Sequence, residues 1–282
     1  MVNKSEFVVT LFDTMGRIQK AQINRRFQFP GGEYHVEFGG VDLFIPSKIR
    51  IHAQIHNGDI MELSLLTDAV RRFYPGIEVH LDLPYIPYAR QDRVAVKGES
   101  LALKVFCDAV NSLGFKTVTV FDPHSLVAPA LFNNVIVKEI ESDDLFMVIQ
   151  DETHLINAVV VCPDNGARKR SEHFRGISPE LSANQLVFCD KKRDPISGVL
   201  SGYYVINPTD IPSQVDGPVN FFVYDDICDG GGTFMLLATA IKEHMGSRPY
   251  NLHLIVSHGI FSKGKEVLLN EYTTVGAIYE WI

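Results

Sequence analysis

The sequence predicts an α/β protein of two lobes, each a mostly parallel sheet flanked by helices. Three observations carry this expectation. Short runs of β-branched and aromatic residues alternate with segments of helical period. At 282 residues the chain is too long for one small domain and fits two of ordinary size. Three of the apolar runs end in polar clusters, FDPH, CPDNG and YDDICDGGG, distributed over both halves. Carboxyl ends of parallel strands are where ligands sit in open α/β sheets. The lobes are expected over 1–140 and 141–282, with the boundary in the charged stretch KEIESDD (138–144).

The elements follow in order. GDIMELSLLTDAVRRFY (58–74) places Ile60, Leu63, Leu66, Val70 and Phe73 on one helical face. IEVHLDLPYI (77–86) reads as a buried strand. ESLALKVFCDAVNSLG (99–114) is helical, with Leu101, Val105 and Val110 inward and Gly114 as its C-cap. TVTVFD (117–122), AVVVCPD (158–164), QLVFCD (185–190), VNFFVYDD (219–226) and LHLIVSHG (252–259) are further apolar strands. Between the last two, FMLLATAIKE is helical. No short-period repeat or low-complexity segment interrupts the pattern.

Composition limits the function. Lys and Arg total 26 against 34 Asp and Glu, a net charge of −8, which disfavours sequence-independent nucleic-acid binding. A local cluster of cations still suffices for a phosphorylated small molecule. Cys107, Cys162, Cys189 and Cys228 form no C-x-x-C pair and read as buried free thiols of a reducing compartment. No apolar run reaches membrane-spanning length, so a cytoplasmic protein without a membrane partner is expected. His52 and His56 have no evident third ligand and are assigned no metal.

VYDDICDGGGT carries the most specific chemistry. A strand ending at Tyr224, a glycine loop and a helix would aim backbone N–H groups of 230–233 at an anion. Asp225, Asp226 and Asp229 beside it would repel that anion unless they face hydroxyls or a metal. A sugar phosphate satisfies both, with phosphate on the loop and hydroxyls on the carboxylates. No G-K-[ST] follows, so this is not a Walker A loop. An acidic turn before a helix is the plainer reading, and three Asp with three Gly at one strand end weigh against it. In YARQDR, Arg90 and Arg93 offer forks for phosphate and Gln91 an amide for a base edge.

VYDDICDGGGT is similar to the sugar-phosphate loop of type I phosphoribosyltransferases. LPYIPYARQDR (83–93) resembles the ATP segment of ribose-phosphate pyrophosphokinases. FPGGE (29–33), FDPH (121–124), VCPDNG (161–166), CDKKR (189–193) and SHGIFS (257–262) follow in family order over roughly the whole chain. The resemblance implies two phosphoribosyltransferase-like lobes. It implies an enzyme that moves the β,γ-diphosphate of ATP to the anomeric hydroxyl of a ribosyl 5-phosphate and releases AMP. ATP is then held by Arg90, Gln91 and Arg93, with Phe29 and Glu33 supplied by a neighbouring subunit, so at least a homodimer is implied. By itself Phe29 reads as a core aromatic. His124 and Asp164 complete an Mg²⁺ shell otherwise made of phosphate oxygens and water. Lys191 and Arg193 clamp the transferring group; Lys97 is a weaker candidate. Asp225 and Asp226 orient ribose hydroxyls, while Asp229, Gly230, Gly231, Gly232 and Thr233 hold the 5-phosphate.

Departures from the family pattern narrow the reading. Gly230 stands where members carry Thr, and Gly31 where they carry Asp or Asn. VAVKGES lacks the arginine-rich form of the mobile loop. The chain stops at AIYEWI, earlier than members that build an allosteric hexamer, which removes the expectation of phosphate and ADP regulation. These features resemble short phage-borne relatives linked to NAD salvage, where the acceptor is ADP-ribose, and in such a case the site of action is the host cytoplasm. ADP-ribose is the favoured acceptor and ribose 5-phosphate the alternative. A non-catalytic regulatory homologue is the reading from another class. It would be expected to lose the cations and metal ligands that are present here.

Overall fold

A computed structural model describes residues 5–41, 43–56, 60–149, 152–184, 186–193 and 200–280. The chain divides into two compact units, Met1–Glu139 and Ile140–Ile282.

The first unit contains β1 (Glu6–Phe12), β2 (Ile18–Gln28), β3 (Tyr34–Gly40), β4 (Lys48–Gln54), α1 (Met61–Phe73), β5 (Glu78–Asp82), α2 (Ala102–Ser112), β6 (Val118–Phe121), α3 (Val127–Leu131) and β7 (Val135–Lys138). Its seven-stranded sheet has the order β3-β2-β1-β4-β5-β6-β7. From β4 onward the pairing is parallel, whereas β3, β2, β1 and β4 pair antiparallel. The antiparallel half was not read from sequence. In α1, Leu63, Leu66 and Val70 are buried, each contributing about 1.5–3 kcal/mol of transfer free energy. Phe73 is half exposed, yet its ring covers Gly40, where an added Cβ would lie 2.3 Å from it. The inward face of α2 includes Val110 as expected but otherwise differs. Leu103, Phe106, Cys107 and Val110 are buried, whereas Val105 is 66% exposed. Two apolar stripes run along this helix, and periodicity alone did not say which one meets the sheet.

The second unit contains α4 (Ser142–Val148), β8 (Ala158–Cys162), α5 (Arg168–Gly176), α6 (Pro179–Ser182), β9 (Val187–Arg193), β10 (Leu200–Val205), β11 (Val219–Cys228), α7 (Gly232–Met245), β12 (Tyr250–Gly259), α8 (Glu266–Leu269) and β13 (Thr274–Glu280). Its sheet order is β10-β9-β8-β11-β12-β13, parallel except for β9–β10. Two strands run further than expected. β11 runs past Tyr224, with Asp225 and Asp226 within it, and past the 219–226 run to Cys228, and β9 takes in Lys191 and Arg193, which were expected to follow the strand. Pairing with neighbours keeps these polar residues extended: Asp225 lies opposite Val256, and Lys191 opposite Tyr203.

All four cysteines are free and buried, and burial pushes the Cys107, Cys189 and Cys228 thiols up to about 12. No helix among the described residues is long and apolar enough to cross a membrane.

A buried histidine gives the second unit a pH-dependent stability. His253 is fully buried, stacked 4.6 Å from Phe222, with Nδ1 3.2 Å from Thr274 Oγ1 and Nε2 3.3 Å from Asn220 Oδ1. Burial, reinforced by His154, lowers its pKa from 6.5 to about 3. Between these values the unfolded chain binds a proton that the folded protein refuses. Stability conferred by neutral His253 is therefore present above pH 6.5 and is lost as pH falls toward 3, at up to about 1.4 kcal/mol per unit. Urea unfolding between about pH 5 and 7 is expected to show this slope and to show a shallower one in His253→Asn. Equal slopes would remove His253 as the source.

Candidate active site

In the second unit, side chains singled out in the sequence gather at the carboxyl ends of three adjacent strands, β9, β8 and β11. The fully buried β8 delivers Asp164 to the surface. Asp164 caps a single 3₁₀ turn, its Oδ1 accepting from the Ala167 N–H at 3.1 Å. Its Oδ2 lies 2.5 Å from Lys191 Nζ, so two residues expected in separate roles meet as an ion pair. Burial raises the Asp164 pKa, but the Lys191 hydrogen bond and charge and the Ala167 and Gly166 N–H groups outweigh it and hold the carboxyl below its usual range. Arg193 lies two residues further along β9, and its side chain falls outside the described residues.

On β11, Asp226 is buried and Asp225 is partly buried beside it. Arg170 on α5 reaches both, with Nη1 3.4 Å from Asp225 Oδ1 and 3.5 Å from Asp226 Oδ1. Sequence reasoning missed Arg170, because its partners lie 55 and 56 residues away and no local pattern marks it. Burial, with the Asp226 charge and hydrogen bond, pushes the Asp225 carboxyl well above its ordinary range, and Arg170 opposes the rise.

The chain leaves β11 through Asp229 and Gly230 and enters α7 at Gly231, which has φ +72°. This left-handed cap requires glycine: an added Cβ would also lie 3.0 Å from Leu268 Cδ2. At Gly230, outside the left-handed region, an added Cβ would meet only Lys263 Cε at 3.4 Å, Cδ at 3.6 Å and Ser262 Oγ at 3.8 Å within 4 Å. Gly232 and Thr233 open the 14-residue α7, whose first N–H groups have no acceptor within the helix. The loop can therefore take an anion while the acidic pair takes hydroxyls.

In the first unit, the segment after β5 folds into consecutive tight turns. Ala89 N–H donates to Ile86 O, and Gln91 N–H to Tyr88 O, with Tyr88 at φ +64°. Arg90, Gln91 and Arg93 are exposed. Arg93 grips the buried Asp92 next to it, Nε to Oδ1 at 2.7 Å and Nη2 to Oδ2 at 3.2 Å, so its fork is already engaged. That pair, with the Ser125 hydrogen bond and nearby His124, holds Asp92 below its usual range despite burial. His124 is thereby brought near Asp92, after β6 and the strained Asp122 at φ +36°. Gln91 also borders a cavity of about 390 Å³ walled by Tyr88, Val105, Phe106 and Ala109.

Phe29 and Glu33 occupy the β2–β3 hairpin tip, closed by Phe29 N–H to Glu33 O and Gly32 N–H to Phe29 O, both 2.8 Å. Phe29 is not a core aromatic: it is 46% exposed and packs edge-on against Phe27 at 4.8 Å. In the sheet, β1 and β4 separate β2 from β5.

Among the described residues, no group of three or more His, Cys, Asp or Glu side chains forms a metal cage. Asp164 in the second unit offers a carboxylate and His124 in the first unit an imidazole; each fits Mg²⁺ only as a partial ligand, with phosphate oxygens and water left to supply the rest of a shell. Asp164 would have to share its carboxylate between a cation and Lys191.

Comparison with known proteins bears on the family and the fold. Residues 19–114 match the family described as the N-terminal domain of ribose phosphate pyrophosphokinase. The chain is 30% identical over 249 residues to a ribose-phosphate pyrophosphokinase of Shewanella oneidensis, covering 86% of this chain and 73% of the relative. It is 30% identical over 262 residues to one of Marinomonas sp., covering 89% and 77%. The crystal structure of phosphoribosylpyrophosphate synthetase from Mycobacterium smegmatis superposes with a TM-score of 0.60 at 21% identity, over 83% of this chain and 72% of that one, and shares the fold. The chain belongs to the ribose-phosphate pyrophosphokinase family of transferases.

Proposed function

We propose that this protein transfers the β,γ-diphosphate of ATP to the anomeric hydroxyl of a ribosyl 5-phosphate and releases AMP. The observation that carries the proposal is the set of groups on β9, β8 and β11: a cation, an acidic pair and an anion-binding loop at one sheet edge. Asp225 and Asp226 orient the ribose hydroxyls, and the loop 229–233 holds the 5-phosphate. Lys191 and Arg193 meet the negative charge that grows on the transferring group, where positioning and electrostatics dominate phosphoryl chemistry. Arg90, Gln91 and Arg93 bind ATP. Phe29 and Glu33 are read as serving the ATP segment of a second copy, so the protein acts as a homo-oligomer of at least two chains. The two strands between β2 and β5 support that reading. His124 and Asp164 would hold Mg²⁺, which when bound neutralises phosphate charge.

The acceptor proposed is ADP-ribose, in a route that rebuilds NAD and is phage-borne, with ribose 5-phosphate as the alternative. The absent side chain at Gly230 supports it, because a 5-phosphate that continues into a second phosphate needs that space. AMP formation from ATP and Mg²⁺, measured side by side with ADP-ribose and ribose 5-phosphate, tests both levels. A higher specificity constant for ADP-ribose is expected. Turnover only with ribose 5-phosphate overturns the acceptor assignment, and no AMP with either favours a non-catalytic homologue.

A further inference from the structure

The acidic pair is held by more than its own strand. Arg170, Asp225 and Asp226 have side-chain exposures of 17, 22 and 6%, so their mutual contacts are shielded from solvent. α5 packs against both β8 and β11. One turn beyond Arg170, the fully buried Phe174 stacks on Tyr224 at 4.7 Å and 12°, which fixes the helix against the strand just before the pair. Tyr224 is fixed in turn by its hydroxyl, 2.6 Å from Ser257 Oγ.

We propose that Arg170 is the positioning residue of the acceptor site, holding Asp225 and Asp226 side by side as acceptors for the adjacent hydroxyls of a ribosyl group. The inference rests on the ribosyl reading above. One guanidinium nitrogen lies within 3.5 Å of an oxygen on each carboxylate, so one cation bridges the pair. Among the described residues, these groups face or adjoin Asp225. Arg170 comes from α5, Asp226 adjoins it, and the Cys228 thiol lies further along β11. On β12 the residue opposite is Val256, and β8 pairs with β11 only as far as Val161 opposite Val223. Arg170 is the cation that opposes the upward push of burial and of Asp226 on Asp225. Without it the pair retains a proton to higher pH, and the two carboxyls bind each other in place of the sugar.

The test is calorimetric binding of ribose 5-phosphate, ADP-ribose and ATP to wild type, Arg170→Ala and Arg170→Lys between about pH 5 and 9, with unfolding curves for each. Arg170→Ala is expected to bind the acceptor at least about ten-fold more weakly at pH 7, with the acidic limit of binding raised by about one unit. ATP affinity should stay within about two-fold, and Arg170→Lys should fall between the other two. A folded Arg170→Ala with wild-type acceptor affinity and an unmoved acidic limit overturns the proposal alone. Should Arg170→Ala not fold, Arg170→Lys decides, and wild-type affinity with a wild-type acidic limit again overturns it. A wild-type protein that takes up neither acceptor overturns the ribosyl reading, and this proposal with it.

Discussion

Lys191→Ala is expected to lower turnover by about 10²–10³-fold while leaving ATP affinity nearly unchanged. The size follows from the proposed role. A preorganised cation that meets charge developing in the transition state is worth about 3–4 kcal/mol, and that energy is absent from the ground-state complex. The fold should survive, because the backbone of residue 191 stays paired with Tyr203 whatever side chain it bears. The ion pair adds a second expectation. Asp164 loses the hydrogen bond and charge that oppose its burial and keeps only the Ala167 and Gly166 N–H groups against it, so its pKa should rise. Any acidic limb of activity that depends on ionised Asp164 should then move to higher pH in the variant. Steady-state kinetics with ATP titrations checks both statements. Unchanged turnover with a weakened ATP affinity would place Lys191 in ground-state binding instead.

What the sequence made legible, and what it did not, has a common physical cause. β8, β11 and β12 are buried on both faces for most of their length, so they read as runs rich in apolar residues. The first turn of α7 was legible because a glycine run stands directly before a helical apolar stripe. β2 gave no such signal. It is an exposed hairpin strand, IQKAQINRRFQ, with no fully buried position, and its order comes from pairing with β1 and β3. The cations of β9 looked like a loop because charge usually marks one, yet an antiparallel partner keeps them in the sheet. Asp92 and Arg170 were overlooked for a related reason. Each acquires its meaning from contacts: Asp92 from its burial and from Ser125, and Arg170 from carboxylates 55 and 56 residues away. A motif records which residues stand together in the chain, and these sites depend on which stand together in space.

Gly230→Thr is expected to shift the acceptor preference toward ribose 5-phosphate by about ten-fold or more in the ratio of specificity constants. The backbone permits the change. Gly230 lies outside the left-handed region, so a β-branched residue meets no φ penalty there, in contrast to Gly231 at φ +72°. Space permits it as well, since the nearest atom to an added Cβ is the flexible end of Lys263 at 3.4 Å. Two effects then act in the same direction. The threonine hydroxyl offers a terminal phosphate one charge-assisted hydrogen bond, worth about 1.5–3 kcal/mol. Its methyl and hydroxyl also occupy room that the second phosphate of ADP-ribose is proposed to need. The smaller acceptor gains and the larger one loses. Gly231→Thr serves as the control: its strained φ and the 3.0 Å approach to Leu268 should lower both activities together, leaving the ratio unchanged. Specificity constants for both acceptors, measured alongside the melting temperature of each variant, separate the two outcomes. A stable Gly230→Thr enzyme with the wild-type ratio would show that acceptor choice is made elsewhere in the site.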